Sequence, residues 1–171
     1  MERRKVLQSI GITSAGLMAL PAWAKGWNLQ TLPPTPPVFH SLEQTTLTAI
    51  IEAIIPESDT LGAKSVGVPA FIEKMLADCY EKEVVENVEK GLLFVENTAA
   101  STQNTAFSAL PITDRQTILL LIEKGENESL KEFYKLIKNL TIQGYTSSEY
   151  VQTTFLEYKM IPGYYDGCVP V

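Results

Sequence analysis

Two adjacent arginines, Arg3 and Arg4, followed by Lys5, are the first residues of this chain whose type and spacing have a chemical meaning. This basic head precedes an apolar run from Ile10 to Leu20, and Pro21-Ala22-Trp23-Ala24 then offers the small residues a signal peptidase accepts. Basic, apolar and small segments in that order make an export signal that takes no part in the fold. Paired arginines before a weakly apolar stretch direct a protein to the twin-arginine translocase, which carries cargo already folded. Gly11, Thr13, Ser14 and Gly16 keep the stretch weakly apolar. Glu2 and Val6 depart from the usual flanks of the motif, and an ordinary secretory signal is the alternative. A retained anchor would need about 20 apolar residues, roughly twice what this run holds.

Residues that could do acid–base, nucleophilic or metal chemistry are few. His40 is the single histidine. A catalytic base needs a nucleophile or an orienting partner, and none can be named, so His40 reads as a surface or packing residue. Glu81, Glu83, Glu86 and Glu89 alternate with Lys82 and Lys90. That is the pattern of a solvated, charge-paired helix face rather than of a general acid/base pair. Glu57 and Asp59 could approach a cation, but their place after a helix end favours turn formation. There is no glycine-rich dinucleotide loop, phosphate loop, haem attachment pair or histidine-rich cluster. No catalytic, cofactor-binding or metal residue is therefore assigned. Cys79 and Cys168 are the two cysteines. An oxidising periplasm permits a disulfide between them, which would tie the tail to an early helix. The alternative is two unpaired thiols, with Cys79 buried on the apolar side of its helix. Cysteines this far apart do not make a zinc site without histidine support.

Cleavage after Ala24 would leave Lys25–Val171, about 147 residues, enough for one domain with a real core. Losing Arg3, Arg4, Lys5 and Glu2 moves the formal charge from −6 to about −8. Such an acidic surface repels phosphate backbones and argues against nucleic acid as a partner. No stretch after the signal is long and apolar enough to span a membrane.

The elements follow from periodicity. Residues 25–40 contain Leu32-Pro33-Pro34-Thr35-Pro36-Pro37, an extended lead-in that could lie across a partner or simply act as a spacer. Ser41-Leu42-Glu43-Gln44 has a capping-box pattern, with Ser41 as the cap. Leu47, Ile50, Ile51, Ile54 and Ile55 then give a wide apolar helical face, stopped by Pro56. Val68-Pro69 restarts a helix carrying Phe71, Ile72, Met75, Leu76 and Cys79, and Val84, Val85, Val88, Leu92 and Val95 continue it. Thr98–Thr105 reads as a polar loop. Thr113-Asp114-Arg115-Gln116 is a second capping-box pattern, and Ile118–Ile122 reads as the most buried helix. Leu130, Phe133, Tyr134, Ile137 and Leu140 form the next one, with Gly144 as its C-cap. Ser147 or Ser148 caps a last short helix with Val151, Phe155 and Leu156 on one face. No period-two runs occur. The class is all-α: an irregular bundle of five or six helices in a single domain over 41–171, with a proline-rich lead-in and a non-helical C-terminal tail.

That tail, Tyr158 to Val171, is rich in tyrosine, glycine and proline, a composition suited to contact with a partner. Tyr158, Pro162, Tyr164 and Tyr165 are the candidate contacts; the alternative is a tail packed back on its own helices. Ile54-Ile55-Pro56 with Gly62-Ala63, then Val68-Pro69-x-Phe71-Ile72, resembles the first half of the gluconate 2-dehydrogenase subunit 3 family. Gly144-Tyr145-Thr146-Ser147 and Pro162-Gly163-Tyr164-x-x-Gly167-Cys168 resemble its end. The resemblance implies a small, non-catalytic subunit of a periplasmic flavin dehydrogenase acting on a sugar, sugar acid or polyol. FAD would belong to the large partner subunit. A multihaem cytochrome c would take the electrons and hold the complex at the inner membrane. The small chain would carry the export signal for that partner and help it mature. A free-standing periplasmic binding protein for a small molecule, with an apolar pocket between helices, is the competing expectation, and an enzyme in its own right is a third.

Overall fold

Ile50, Ile51 and Leu47 are wholly removed from water, and the helix that carries them organises the domain. The computed structural model describes residues 38–159 together with Ile161 and Gly163. Among the described residues there are six α-helices and one 3-10 turn, with no strand. Helix α1 (Ser41–Ile54) touches four other helices and the 3-10 turn. Those helices are α2 (Val68–Cys79), α3 (Lys82–Gln103), α4 (Ile112–Lys124) and α5 (Glu128–Thr146). The 3-10 turn is Phe107–Ala109, and α6 (Glu149–Thr154) packs against α5.

The cap of α1 lies one residue before the expected one. His40 is extended (φ −69°, ψ 163°) and its N–H donates to the Glu43 carboxylate at 2.8 Å. His40 and Glu43, not Ser41 and Gln44, thus form the ends of the capping motif. The helix stops because Pro56 disfavours a helical residue before it, and Ile55 turns out of the helix (φ −129°, ψ 85°).

The expected continuation of α2 into α3 is broken at Tyr80 and Glu81, both extended. The reason lies in the apolar positions. On one unbroken helix the stripe Val68, Ile72, Leu76 and the stripe Val88, Leu92, Val95, Ala99 would point about 170° apart, and both are buried. The break lets both face the core. Helix α3 also runs through the expected polar loop to Gln103. Thr98 and Thr102 return their hydroxyls to the carbonyls four residues back, at 2.8 and 2.7 Å, so these polar residues sit in a helix without unpaired groups. Asn104 ends it in the left-handed conformation (φ 51°).

Three further expectations are corrected. Helix α4 begins at Ile112 with Pro111 as its cap, so Thr113 lies inside the first turn, and Gln116 instead donates to the Ala53 carbonyl of α1 at 2.9 Å. Nor is α4 the most buried helix. Ile118, Leu119 and Ile122 face the core, but Leu120 is 47% and Leu121 63% exposed, because five consecutive aliphatics encircle a helix that lies on the outside of the bundle. Gly144 is not a C-cap: α5 continues to Thr146 with Gly144 buried in its last turn. Asn127 caps the start of α5, accepting from the Leu130 N–H. Ser148 caps α6 in the same way through Val151. Val151 is buried, whereas Phe155 and Leu156 are exposed.

These burials order the cost of truncation. Ile51→Ala should destabilise by about 2–5 kcal/mol, while Leu121→Ala should stay within about 0.5 kcal/mol. Urea unfolding of the two variants measures both, and equal losses would put Leu121 in the core.

Candidate functional site

The motif residues scattered over 54–72 and 144–147 meet at one corner of the fold. Gly62 lies against the chain it follows: a Cβ there would come within 2.7 Å of the Glu57 nitrogen and 2.9 Å of the Pro56 carbonyl carbon. Ala63 is fully buried, donates to Ile55 and accepts from Val68, each at 3.1 Å. These bonds fold residues 56–67 into a compact loop between α1 and α2. Glu57 accepts from the Ser65 hydroxyl at 2.8 Å, which makes it a loop-forming residue, while Asp59 is exposed. Gly144 faces α2: a Cβ there would meet the Phe71 ring at 2.6 Å and Val68 at 3.2 Å. Tyr145 donates its hydroxyl to the Leu61 carbonyl at 2.9 Å. Each of these residues is thus accounted for by close packing or by fixing the loop.

Below the corner lies the one arginine of the domain that is nearly buried. Arg115 donates from Nε to the Leu110 carbonyl and from Nη2 to the Ser108 carbonyl, both at 2.8 Å, and from Nη1 to the Glu52 carboxylate at 2.7 Å. Lys64 of the loop approaches the other Glu52 oxygen at 3.6 Å. Glu52 therefore joins α1 to α4 and to the loop. The hydrogen bond from Arg115, with help from the charge of Lys64 and against the cost of burial, holds its carboxyl below the usual value of 4.5. Neither Glu52 nor Arg115 stood out in the sequence; a single arginine after the signal, three residues before the aliphatic run Ile118–Ile122, is the signal that could have found them.

A groove of about 420 Å³ borders this network, lined by Gln44, Thr45, Thr48, Glu52, Lys64 and Ser108. Its threonine hydroxyls already donate to carbonyls of their own helix at 2.8 Å. A second groove, of about 290 Å³, lies between α3, α4 and the start of α5, with Phe94, Leu121, Ile122 and Leu130 among its lining. Among the described residues no three His, Cys, Asp or Glu side chains gather as metal ligands. Likewise, no helix among them is long and apolar enough to cross a membrane.

The sequence-derived site residues fare unevenly. Lys82 and Glu86 pair at 3.6 Å on an exposed face of α3, as the charge pattern predicts. His40 is exposed and caps α1. Cys79 is the last residue of α2 and is exposed, not buried on the apolar side. Tyr158 is 59% exposed beyond α6. Arg3, Arg4, Pro162, Tyr164, Tyr165 and Cys168 lie outside the described residues, as do the signal and nearly all of the proline-rich lead-in.

A loop stapled between α1, α2 and α5 holds this corner of the all-helical domain together. The family model described as gluconate 2-dehydrogenase subunit 3 matches residues 41–163, and the chain belongs to that family. No curated protein and no solved structure matches it.

The Glu52 pair has a pH signature. Its carboxyl is depressed in the folded state, so the stabilisation is present at neutral pH and is lost as pH falls below about 4.5 through the folded value. Glu52→Gln should lower the urea midpoint at pH 7 and narrow its gap from the wild type at pH 3. A gap that is the same at both pH values would remove this pair from the stability of the fold.

Proposed function

We propose that this chain is the small, non-catalytic subunit of a periplasmic flavin-dependent dehydrogenase acting on gluconate, glucose or a polyol. The match of residues 41–163 to the subunit 3 family is the observation that carries this reading. In it, the FAD-binding large subunit performs the oxidation and a multihaem cytochrome c receives the electrons at the inner membrane. This chain brings the twin-arginine signal through Arg3 and Arg4 and assists maturation of the large subunit. A chain that escorts a folded partner needs a surface to hold it, and Tyr158, Pro162, Tyr164 and Tyr165 of the tail are assigned to that contact. A bridge between Cys79 and Cys168 would fasten the tail beside α2; the exposure of Cys79 supports this by leaving its thiol accessible.

One observation favours a second reading. The groove between α3 and α4 has the apolar lining of a small-molecule site, and a free-standing binding protein would use it.

Export separates the two. With Arg3 and Arg4 both changed to Lys, FAD-dependent dehydrogenase activity in the periplasm of the host should fall about tenfold or more while the large subunit collects in the cytoplasm. Unchanged periplasmic activity would refute the escort role. The bridge is checked by alkylating the unreduced periplasmic protein and weighing it: an unmodified mass supports the pair, and two added alkyl groups exclude it.

A further inference from the structure

Beside the stapled loop, where it meets α6, apolar side chains point outward from a fixed backing. The Leu61 backbone is held at both ends. Its carbonyl accepts from the Tyr145 hydroxyl at 2.9 Å and its N–H donates to the Tyr150 hydroxyl at 3.4 Å. Its side chain is nonetheless 41% exposed. Tyr150 packs edge-on against Phe155 with ring centroids 5.7 Å apart, and Phe155 and Leu156 are more than half exposed. Leu61, Tyr150 and Phe155 therefore form one connected surface. Contiguous exposed apolar groups mark interaction sites, and groups already ordered in the free protein lose little further freedom on binding.

The rim indicates what covers it. Asp59, Glu149 and Glu157 flank these side chains along the chain and are all exposed. None of the three forms a salt bridge among the described residues. An apolar centre edged by unpaired carboxylates complements a protein surface with an apolar centre and a lysine- or arginine-bearing edge. It suits neither an anionic bilayer nor the same corner of a second copy, which would bring three like charges against these three.

We propose that this corner, centred on Leu61, Tyr150 and Phe155, is where the chain seats on the catalytic subunit of its dehydrogenase, against an apolar patch with a basic edge. The proposal rests on the functional reading above and adds to it a face and a charge pattern.

The test co-expresses the full chain with the tagged FAD-binding subunit of the same host and measures the chain recovered with the flavin protein. Leu61→Ser with Phe155→Ser should reduce recovery about tenfold, as loss of central anchors does. Reversing the rim with Asp59→Lys, Glu149→Lys and Glu157→Lys should reduce it similarly at low salt, with the difference shrinking at high salt. Leu120→Ser, on the exposed side of α4 and outside the groove, should leave recovery unchanged. Circular dichroism checks that helix content is kept; should the apolar double variant lose it, the rim variant, altered only at exposed carboxylates, decides. Full recovery of the corner variants beside a normal wild-type complex would overturn this placement and leave the subunit reading standing. Absence of the wild-type chain from the purified flavin subunit would overturn both.

Discussion

The Arg115 guanidinium, nearly out of water between α1 and α4, requires hydrogen-bond acceptors around it. The Leu110 and Ser108 carbonyls supply two, and they are available only because the 3-10 turn and Pro111 aim them inward. Glu52 supplies the third and also holds Lys64. One buried charge thus fixes the turn before α4, the angle of α4 on α1 and the position of the loop after α1. Removing one partner from such a pair costs on the order of 3 kcal/mol when both are buried; the partial exposure of Glu52 lessens its own share. The ends of the long helices are joined by weaker ties of the same kind. Glu96 accepts from Thr46 of α1 and from the Phe107 N–H, and Asn87 exchanges hydrogen bonds with Ser129 at the start of α5.

Helix identity was legible in the sequence wherever one apolar stripe ran without interruption. Leu47, Ile50 and Ile51 announce α1, and Phe133, Ile137 and Leu140 announce α5, because burial of a stripe outweighs local propensity. The rest was hidden for separable reasons. The α2–α3 break lies in a run of charged residues with no glycine or proline, and only the phase shift between the two stripes betrays it. The end of α3 is rich in Ser, Thr and Ala, residues shared by loops and by helices whose hydroxyls bond backward. At α4, composition gave the number of aliphatics but not the side from which the core approaches.

The corner was legible as residues and illegible as a place. Phe71, Gly144 and Tyr145 carry the family pattern, yet the contacts that explain them join positions more than 70 residues apart in the chain, as between Phe71 and Gly144 or Leu61 and Tyr145. Local pattern cannot supply such a distance. A glycine near a helix end reads as a cap by default, and only the ring of Phe71 above Gly144 shows that close packing is its role.

Stability alone gives no reason for the outward face of this corner. Substituting an exposed leucine or phenylalanine away from special features changes folding free energy by only about 0.5 kcal/mol, so polar residues would serve the fold equally well at Leu61 and Phe155. The clamp makes the contrast with α4 informative. Leu121 is exposed because a regular helix has an outer side, and nothing beyond the helix fixes it there. Leu61 is exposed on a loop whose carbonyl and N–H are both engaged by tyrosines from other elements, so its outward direction is built by tertiary structure. Within a family described as one subunit of a dehydrogenase, a rigid apolar face answers a binding need better than a folding one. On the proposed reading as a dehydrogenase subunit, a surface that is ordered in advance favours association, since ordering costs are then met during the chain's own folding rather than at the encounter.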